Sequence, residues 1–236
     1  MAKRIVDASQ RRAEIAIAVL FLITAAAAIY GGLLLDPVLN APDYLAGVFP
    51  NRGPVALGAL MVSINNIGIV FIAVFAFPLL RKLDETLAIG YLAVRIIEGT
   101  VMMVGIAAAL LVIPLSEAFV KAGAQGPWFV VIGDVVKQLK LLTLTNFSTV
   151  LLGLGGLIFC WQLFRFQLVP RLIAVVGLIG YALIFLAGIG TWFGVVDMSG
   201  YGPETALAAP VILFEIVLLP AWLFFKGFNM PEATAT

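Results

Sequence analysis

The sequence predicts an all-α, polytopic integral membrane protein. Residues 1–236 form a single domain of six transmembrane helices in one bundle, with both termini cytoplasmic. Two observations carry the fold class. Hydrophobic residues make up 63% of the chain and charged residues 11%, where a soluble domain runs at about 45–50% and about 25%. Apolar runs near 13–35, 55–79, 87–113, 143–164, 171–193 and 205–225 each approach or exceed the roughly 20 residues that cross a bilayer as a helix. The mean hydropathy of +1.13 excludes an ordinary soluble enzyme, a disordered chain and a coiled coil.

The first span follows Lys3, Arg4, Arg11 and Arg12, and Ala25 to Ala28 has the small residues of a cleavage site. Its apolar run from Ile15 to Leu35 is longer than the roughly 7–15 residues of a signal-peptide core, so it reads as an uncleaved helix. The second span carries Asn65-Asn66, and the third carries Arg95 and Glu98. Between them the turn Arg81 to Glu85 is short, as is Phe166 to Pro170 between spans four and five. Short turns make the flanking spans antiparallel neighbours. The remaining connections are longer. Asp36 to Pro54 contains Pro37, Pro42 and Pro50, with room for a short interfacial helix at Asp43-Tyr44-Leu45. Trp128 to Leu142 is amphipathic, with Asp134, Lys137, Gln138 and Lys140; it fits a helix lying in the interface or an outward extension of span four. Gly153, Gly155 and Gly156, and the span-five glycines at 177, 180, 188 and 190, read as small residues that let helices approach closely. In span six, Pro210 and Pro220 flank Glu215 and free the carbonyls of Ala206 and Ile216. Broken helices of this kind line polar cavities in transporters.

Orientation follows from the basic residues. One side carries Lys3, Arg4, Arg11, Arg12, Arg81, Lys82, Arg165, Arg171 and Lys226; the other carries Arg52, Lys121, Lys137 and Lys140. The richer side is the expected cytoplasmic one. Trp161 and Trp222 stand four residues before Arg165 and Lys226, with Trp128 and Trp192 at the opposite ends of spans, an aromatic-belt pattern.

Composition also limits the chemistry. There is no histidine, which removes imidazole as a metal ligand or general base. Cys160 is the only cysteine, so no internal disulfide or cysteine-rich metal site is expected. A net charge of +1 points away from nucleic acid. Phosphate-loop, metalloprotease and serine-hydrolase motifs are missing. No cofactor, no metal and no enzymatic activity are expected.

The informative residues are the charges that topology keeps from water. At about 1.5 Å per residue, Arg95 lies about 20 Å from Lys82 and Glu98 about 24 Å. Glu215 lies about 16 Å from Lys226, Tyr181 about 15 Å from Arg171 and Asn66 about 22 Å from Arg81. All fall in one central layer of a hydrocarbon core about 30 Å thick. Arg95 and Glu98, at i and i+3, share a helix face, which Tyr91 joins. A single charge at mid-bilayer costs about 2.5–3.5 kcal/mol on insertion scales. The expected resolution is an inward cluster with Arg95 bridging Glu98 and Glu215. Candidate ligand or ion contacts are therefore Arg95, Glu98, Glu215, Asn65, Asn66, Tyr91 and Tyr181.

Several stretches carry a resemblance: Ala41-Pro42-Asp43-Tyr44-Leu45, Gly90-Tyr91, Arg95-Ile96-Ile97-Glu98-Gly99, Leu115 to Val120, Leu168-Val169-Pro170-Arg171, Glu215 and Lys226-Gly227-Phe228. With these the chain resembles, over nearly its whole length, a bacterial membrane family catalogued as domain of unknown function 4386. The resemblance implies a helical, multi-pass protein of the bacterial cytoplasmic (inner) membrane and brings no assigned activity.

Two functions compete. In the first, the charged layer binds or translocates a small solute or ion, and a water-accessible cavity reaches it. In the second, the chain is a non-catalytic accessory or assembly subunit of a larger membrane complex. Its charges then form a dry, fully paired cluster, and part of its apolar surface meets partner subunits instead of the lipid bilayer.

Overall fold

The structure is a computed structural model and describes residues 8–198 and 203–231. Lys3 and Arg4, counted in the charge asymmetry, lie outside the described residues. The helices are α1 (Ala8–Leu39), α2 (Tyr44–Gly47), α3 (Arg52–Leu80), α4 (Glu85–Lys121), α5 (Pro127–Leu141), α6 (Ser148–Arg165), α7 (Arg171–Trp192), α8 (Ala209–Ile212) and α9 (Leu219–Phe225). A π-helical turn at Leu142–Phe147 joins α5 to α6, and another at Leu213–Leu218 joins α8 to α9. A 3-10 turn at Pro203–Ala208 precedes α8. No strand occurs among the described residues. Six helical stretches are long and apolar enough to cross a membrane, and they make the chain multi-pass.

The helices overrun the apolar spans read from hydropathy. α4 has 37 residues and closes on an i,i+4 pair, Lys121 Nζ to Glu117 Oε1 at 2.7 Å. The stretch 128–142 is not a separate interfacial helix. It runs unbroken into span four, as a 39-residue segment from Pro127 to Arg165. Its buried face, Phe129 and Gly133, packs on α4 and α2. Asp84 starts α4 by accepting the Leu87 N–H at 3.0 Å, a helix N-cap.

Chain order dictates the arrangement. α1 packs on α3, α3 on α4, α4 on α6 and α6 on α7; the last span meets α7 through α8 and α1 through α9, closing a ring. Small residues set the α6–α7 spacing. A Cβ on Gly153 would stand 2.6 Å from the Phe185 backbone, and the Tyr181 ring occupies the place of a Cβ on Gly156.

Inside the ring are two apolar clusters. One includes Ile17, Phe21, Ile72, Tyr91, Phe159, Tyr181 and Phe214. The other includes Leu35, Leu39, Tyr44, Val62, Ile106 and Phe129. On α1, α3 and α4 the residues between the clusters are those near 24–31, 65–69 and 95–105. That interval holds the polar layer.

The ring is locked at the face that carries both described chain ends. Arg11 donates from Nη1 to the Leu223 carbonyl at 2.6 Å and from Nη2 to the Phe224 carbonyl at 2.5 Å, satisfying the last carbonyls of α9. Glu14, 1% exposed, accepts from Arg11, Gln10 and the Phe228 N–H. Gly227 turns the chain there with φ +74°, and its missing Cβ is where the Glu14 carboxylate lies. Asn229 N–H then bonds the Leu168 carbonyl at 2.7 Å.

At the far face the short helix expected at Asp43-Tyr44-Leu45 is α2, which buries Tyr44 and Leu45 and leaves Ala46 exposed. Ser116 Oγ donates to the Leu45 carbonyl at 2.6 Å, and the Tyr44 hydroxyl donates to Asp134 Oδ1 at 3.0 Å. Burial, and then the neighbouring Asp134 carboxylate, hold the Tyr44 hydroxyl above the usual tyrosine range.

The packing makes a paired prediction. Gly153→Ala meets backbone that cannot rotate away, so it should lower the melting temperature in detergent by several degrees. A Cβ on Gly90 meets nothing within 4 Å, so Gly90→Ala should leave melting unchanged or raise it slightly, by the helix preference of about 0.5–1 kcal/mol. Equal melting of the two variants would contradict the close α6–α7 contact.

Candidate functional site

Arg95 and Glu98 are 2% and 3% exposed. Arg95 Nη1 bonds Glu98 Oε2 at 2.8 Å, the i,i+3 geometry read from sequence. The guanidinium carbon lies 5.5 Å from the Tyr91 ring centroid, and that ring stacks on Phe159 at 5.0 Å. On the α6 side a Cβ at Gly155 would come within 3.3 Å of Arg95 Nε and Val94 Cγ1. Glycine there leaves the arginine its path across the helix contact.

Glu215 has a different partner from the one expected. The Tyr181 hydroxyl of α7 donates to Glu215 Oε1 at 2.5 Å. Among the described residues no ion pair joins Arg95 to Glu215, so Arg95 does not bridge the two glutamates. The reason is topological. The last span packs chiefly on α7 and α1, whereas Arg95 stands on α4. Depth along each helix puts the three groups at one height, and position around the ring separates them.

What unites them is a cavity of about 290 Å³. Arg95, Glu98 and Glu215 all line it, with Asn65 from α3. Thr24 from α1 and Ser148 and Thr149 from α6 add hydroxyls, and Phe21, Ile69, Ile72 and Leu152 supply apolar wall. Both π-helical turns border it, through Leu144 and Glu215. Each has a cause in the sequence. In the first, Thr143, Ser148 and Thr149 bond back to carbonyls four residues earlier, which bends helices. The bulge rests on Gly105, where a Cβ would come within 3.1 Å of Leu144 N. In the second, Pro210 and Pro220 bracket Glu215 and remove backbone donors.

A second cavity of about 190 Å³ adjoins the first and shares Ala28, Asn65, Met102 and Leu144 with it. It continues toward the far face along Gly32, Asp36 and Lys140, where Lys140 Nζ meets Asp36 Oδ1 at 2.8 Å.

The other candidates divide. Asn65 borders both cavities. Asn66, 1% exposed, borders a separate shallow groove with Val70, Ile96 and Gly99. The two side chains touch only through Asn65 Nδ2 and Asn66 Oδ1 at 3.4 Å. Tyr91 and Tyr181 stand behind the wall and hold Arg95 and Glu215. The sequence reading missed the three wall hydroxyls, the Asp36–Lys140 pair and the buried Glu14. The run of Thr143, Thr145, Ser148 and Thr149 in one span was the available signal for the α6 hydroxyls, and Thr24 had no such neighbour. Among the described residues no group of three or more Cys, Asp or Glu side chains stands ready to hold a metal ion.

A family model described as Domain of unknown function (DUF4386) matches residues 16–227. The chain belongs to that family. Neither the curated proteins nor the solved structures yield a match.

The ion pair predicts a non-additive mutant pair. Arg95→Leu strands the buried Glu98 carboxylate and should destabilise by about 3–5 kcal/mol, whereas Arg95→Leu combined with Glu98→Gln should recover most of that loss. Melting in detergent checks it; equal loss in the two variants would rule out the pairing.

Proposed function

We propose that the chain binds a small solute or ion in the central cavity, as the binding step of a membrane translocator or receptor, and performs no catalysis. One observation carries the reading. The charged side chains that topology forces into the bundle converge on a cavity of about 290 Å³ instead of filling a dry, close-packed cluster. Uncompensated charge in a span is stable only against a partner or a water-filled space. A space of this size holds roughly ten waters at about 30 Å³ each. It sits near the lower edge of ligand pockets, about 300–1,000 Å³. The last span is helical throughout, and the π-helical turn in it that presents Glu215 supports the same reading.

The chain sits in the bacterial inner membrane with the locked face toward the cytoplasm. The described basic residues support this: Arg11, Arg12, Arg81, Lys82, Arg165, Arg171 and Lys226 fall on that face, and Arg52, Lys121, Lys137 and Lys140 on the other. The second cavity then leads from the outer side to the site.

Thiol accessibility tests both parts. In a Cys160→Ala background, Asn65→Cys and Ser148→Cys should react with a small membrane-impermeant thiol reagent added to intact cells. Asn66→Cys, in the separate groove, should not. Labelling of neither cavity position in folded protein would favour a sealed structural cluster and an accessory subunit.

A further inference from the structure

We infer that the ligand of the central cavity is a small organic monovalent cation, a primary alkylammonium of a few carbons. The inference rests on the binding role proposed above and adds the ligand's chemistry. The wall hydroxyls carry the argument. Thr24 Oγ1 donates to the Phe21 carbonyl at 3.0 Å, Ser148 Oγ to the Leu144 carbonyl at 2.6 Å, and Thr149 Oγ1 to the Thr145 carbonyl at 2.5 Å. A hydroxyl has one proton and two lone pairs. With the proton committed to its own helix, each of these groups offers a ligand only lone pairs.

The charges agree with the hydroxyls. Arg95 is paired with Glu98 at 2.8 Å, and the remaining carboxylate, Glu215, receives a hydrogen bond from Tyr181 but no cation among the described residues. With both glutamates ionised, the three charges that line the cavity sum to −1. Glu98, 97% buried by its 3% exposure, lines the cavity with a second carboxylate oxygen that no side chain bonds among the described residues. An anion would meet one arginine, already paired with Glu98, against two carboxylates and three lone-pair oxygens. A neutral solute would leave the charge unbalanced, and a divalent ion would overbalance it. A monovalent cation with N–H donors satisfies both the charge and the acceptors.

Size and wall chemistry select an organic cation. About 290 Å³ is far more than a bare inorganic ion fills. Phe21, Ile69, Ile72, Leu152 and Met102 give an alkyl chain apolar surface to cover, at about 25 cal/mol per Å² buried.

The test is thermal melting of the purified full chain in detergent with n-propylammonium, against n-propanol, propionate, tetramethylammonium and sodium at matched ionic strength. Propylammonium should raise the melting temperature by a few degrees with saturation and should slow labelling of the Asn65→Cys variant. Propanol or propionate acting as strongly would overturn the cation assignment and leave the binding role standing. Sodium acting as strongly would overturn the organic assignment, and tetramethylammonium acting as strongly would overturn the N–H donor argument. No shift with propylammonium overturns the inference; if Asn65→Cys still labels, the cavity reading survives, and if it does not, both fall. Glu215→Gln should raise the half-saturating concentration at least tenfold. Thr149→Val, nearly isosteric and safer for folding, should raise it several-fold. An unchanged value in a folded variant of either kind overturns the inference.

Discussion

An arginine in the middle of an apolar helix must find its counter-charge inside the bundle, and much of this structure follows from that demand. Arg95 cannot lose its proton and cannot reach water along a span of this length. Glu98 one turn away supplies the charge, Tyr91 one turn back supplies an aromatic face, and Gly155 on α6 supplies the room. The apolar clusters stop above and below this level. Continuing either cluster through residues 95–98 would bury the ion pair against hydrocarbon with its remaining lone pairs unmet. The polar layer is thus the consequence of one residue that could not be hydrophobically packed.

A polar layer alone does not make a cavity; regular helices could close on it. Here the two segments facing the layer are irregular. The π-helical turn at Leu142–Phe147 and the one at Leu213–Leu218 each insert extra backbone where α1, α3 and α4 pass as continuous helices. Their causes differ: hydroxyl back-bonding in the first, bracketing prolines in the second. Both open the wall at the level of Arg95, and π-turns are frequent at functional sites. The same hydroxyls that bend the helix also commit their protons, so helix geometry and acceptor-rich chemistry arise from one set of residues.

Height was legible in the sequence, and direction around the ring was not. Hydropathy located the six spans, since a bilayer demands length and apolarity regardless of fold, and the short turns identified α3–α4 and α6–α7 as neighbours. The i,i+3 spacing of Arg95 and Glu98 was enough for their pairing. Counting residues from a span's end cannot say which wall Glu215 occupies, so Tyr181 at a similar depth was not recognised as its partner. Asn65 and Asn66 share a height within one residue, yet they differ by about 100° around the helix. Glu14 was invisible for another reason. Beside Arg11 and Arg12 it reads as a solvated end-of-helix charge, and its burial is created by residues 227–229 folding back from the far end of the chain.

The two faces of the ring are held by interactions of very different strength. At the locked face, a fully buried carboxylate, an arginine on two helix-end carbonyls and a glycine turn interlock. Removing one partner from such a network leaves a buried charge, at about 3–5 kcal/mol. At the other face, the cavity route passes Asp36 and Lys140, whose side chains are 34% and 16% exposed. Pairs with that access to solvent are worth about 0–1 kcal/mol. This contact is therefore the weaker closure of the two. The second cavity reaches that weaker contact, and beside it α2 is tied to α4 and α5 by Ser116 and Asp134.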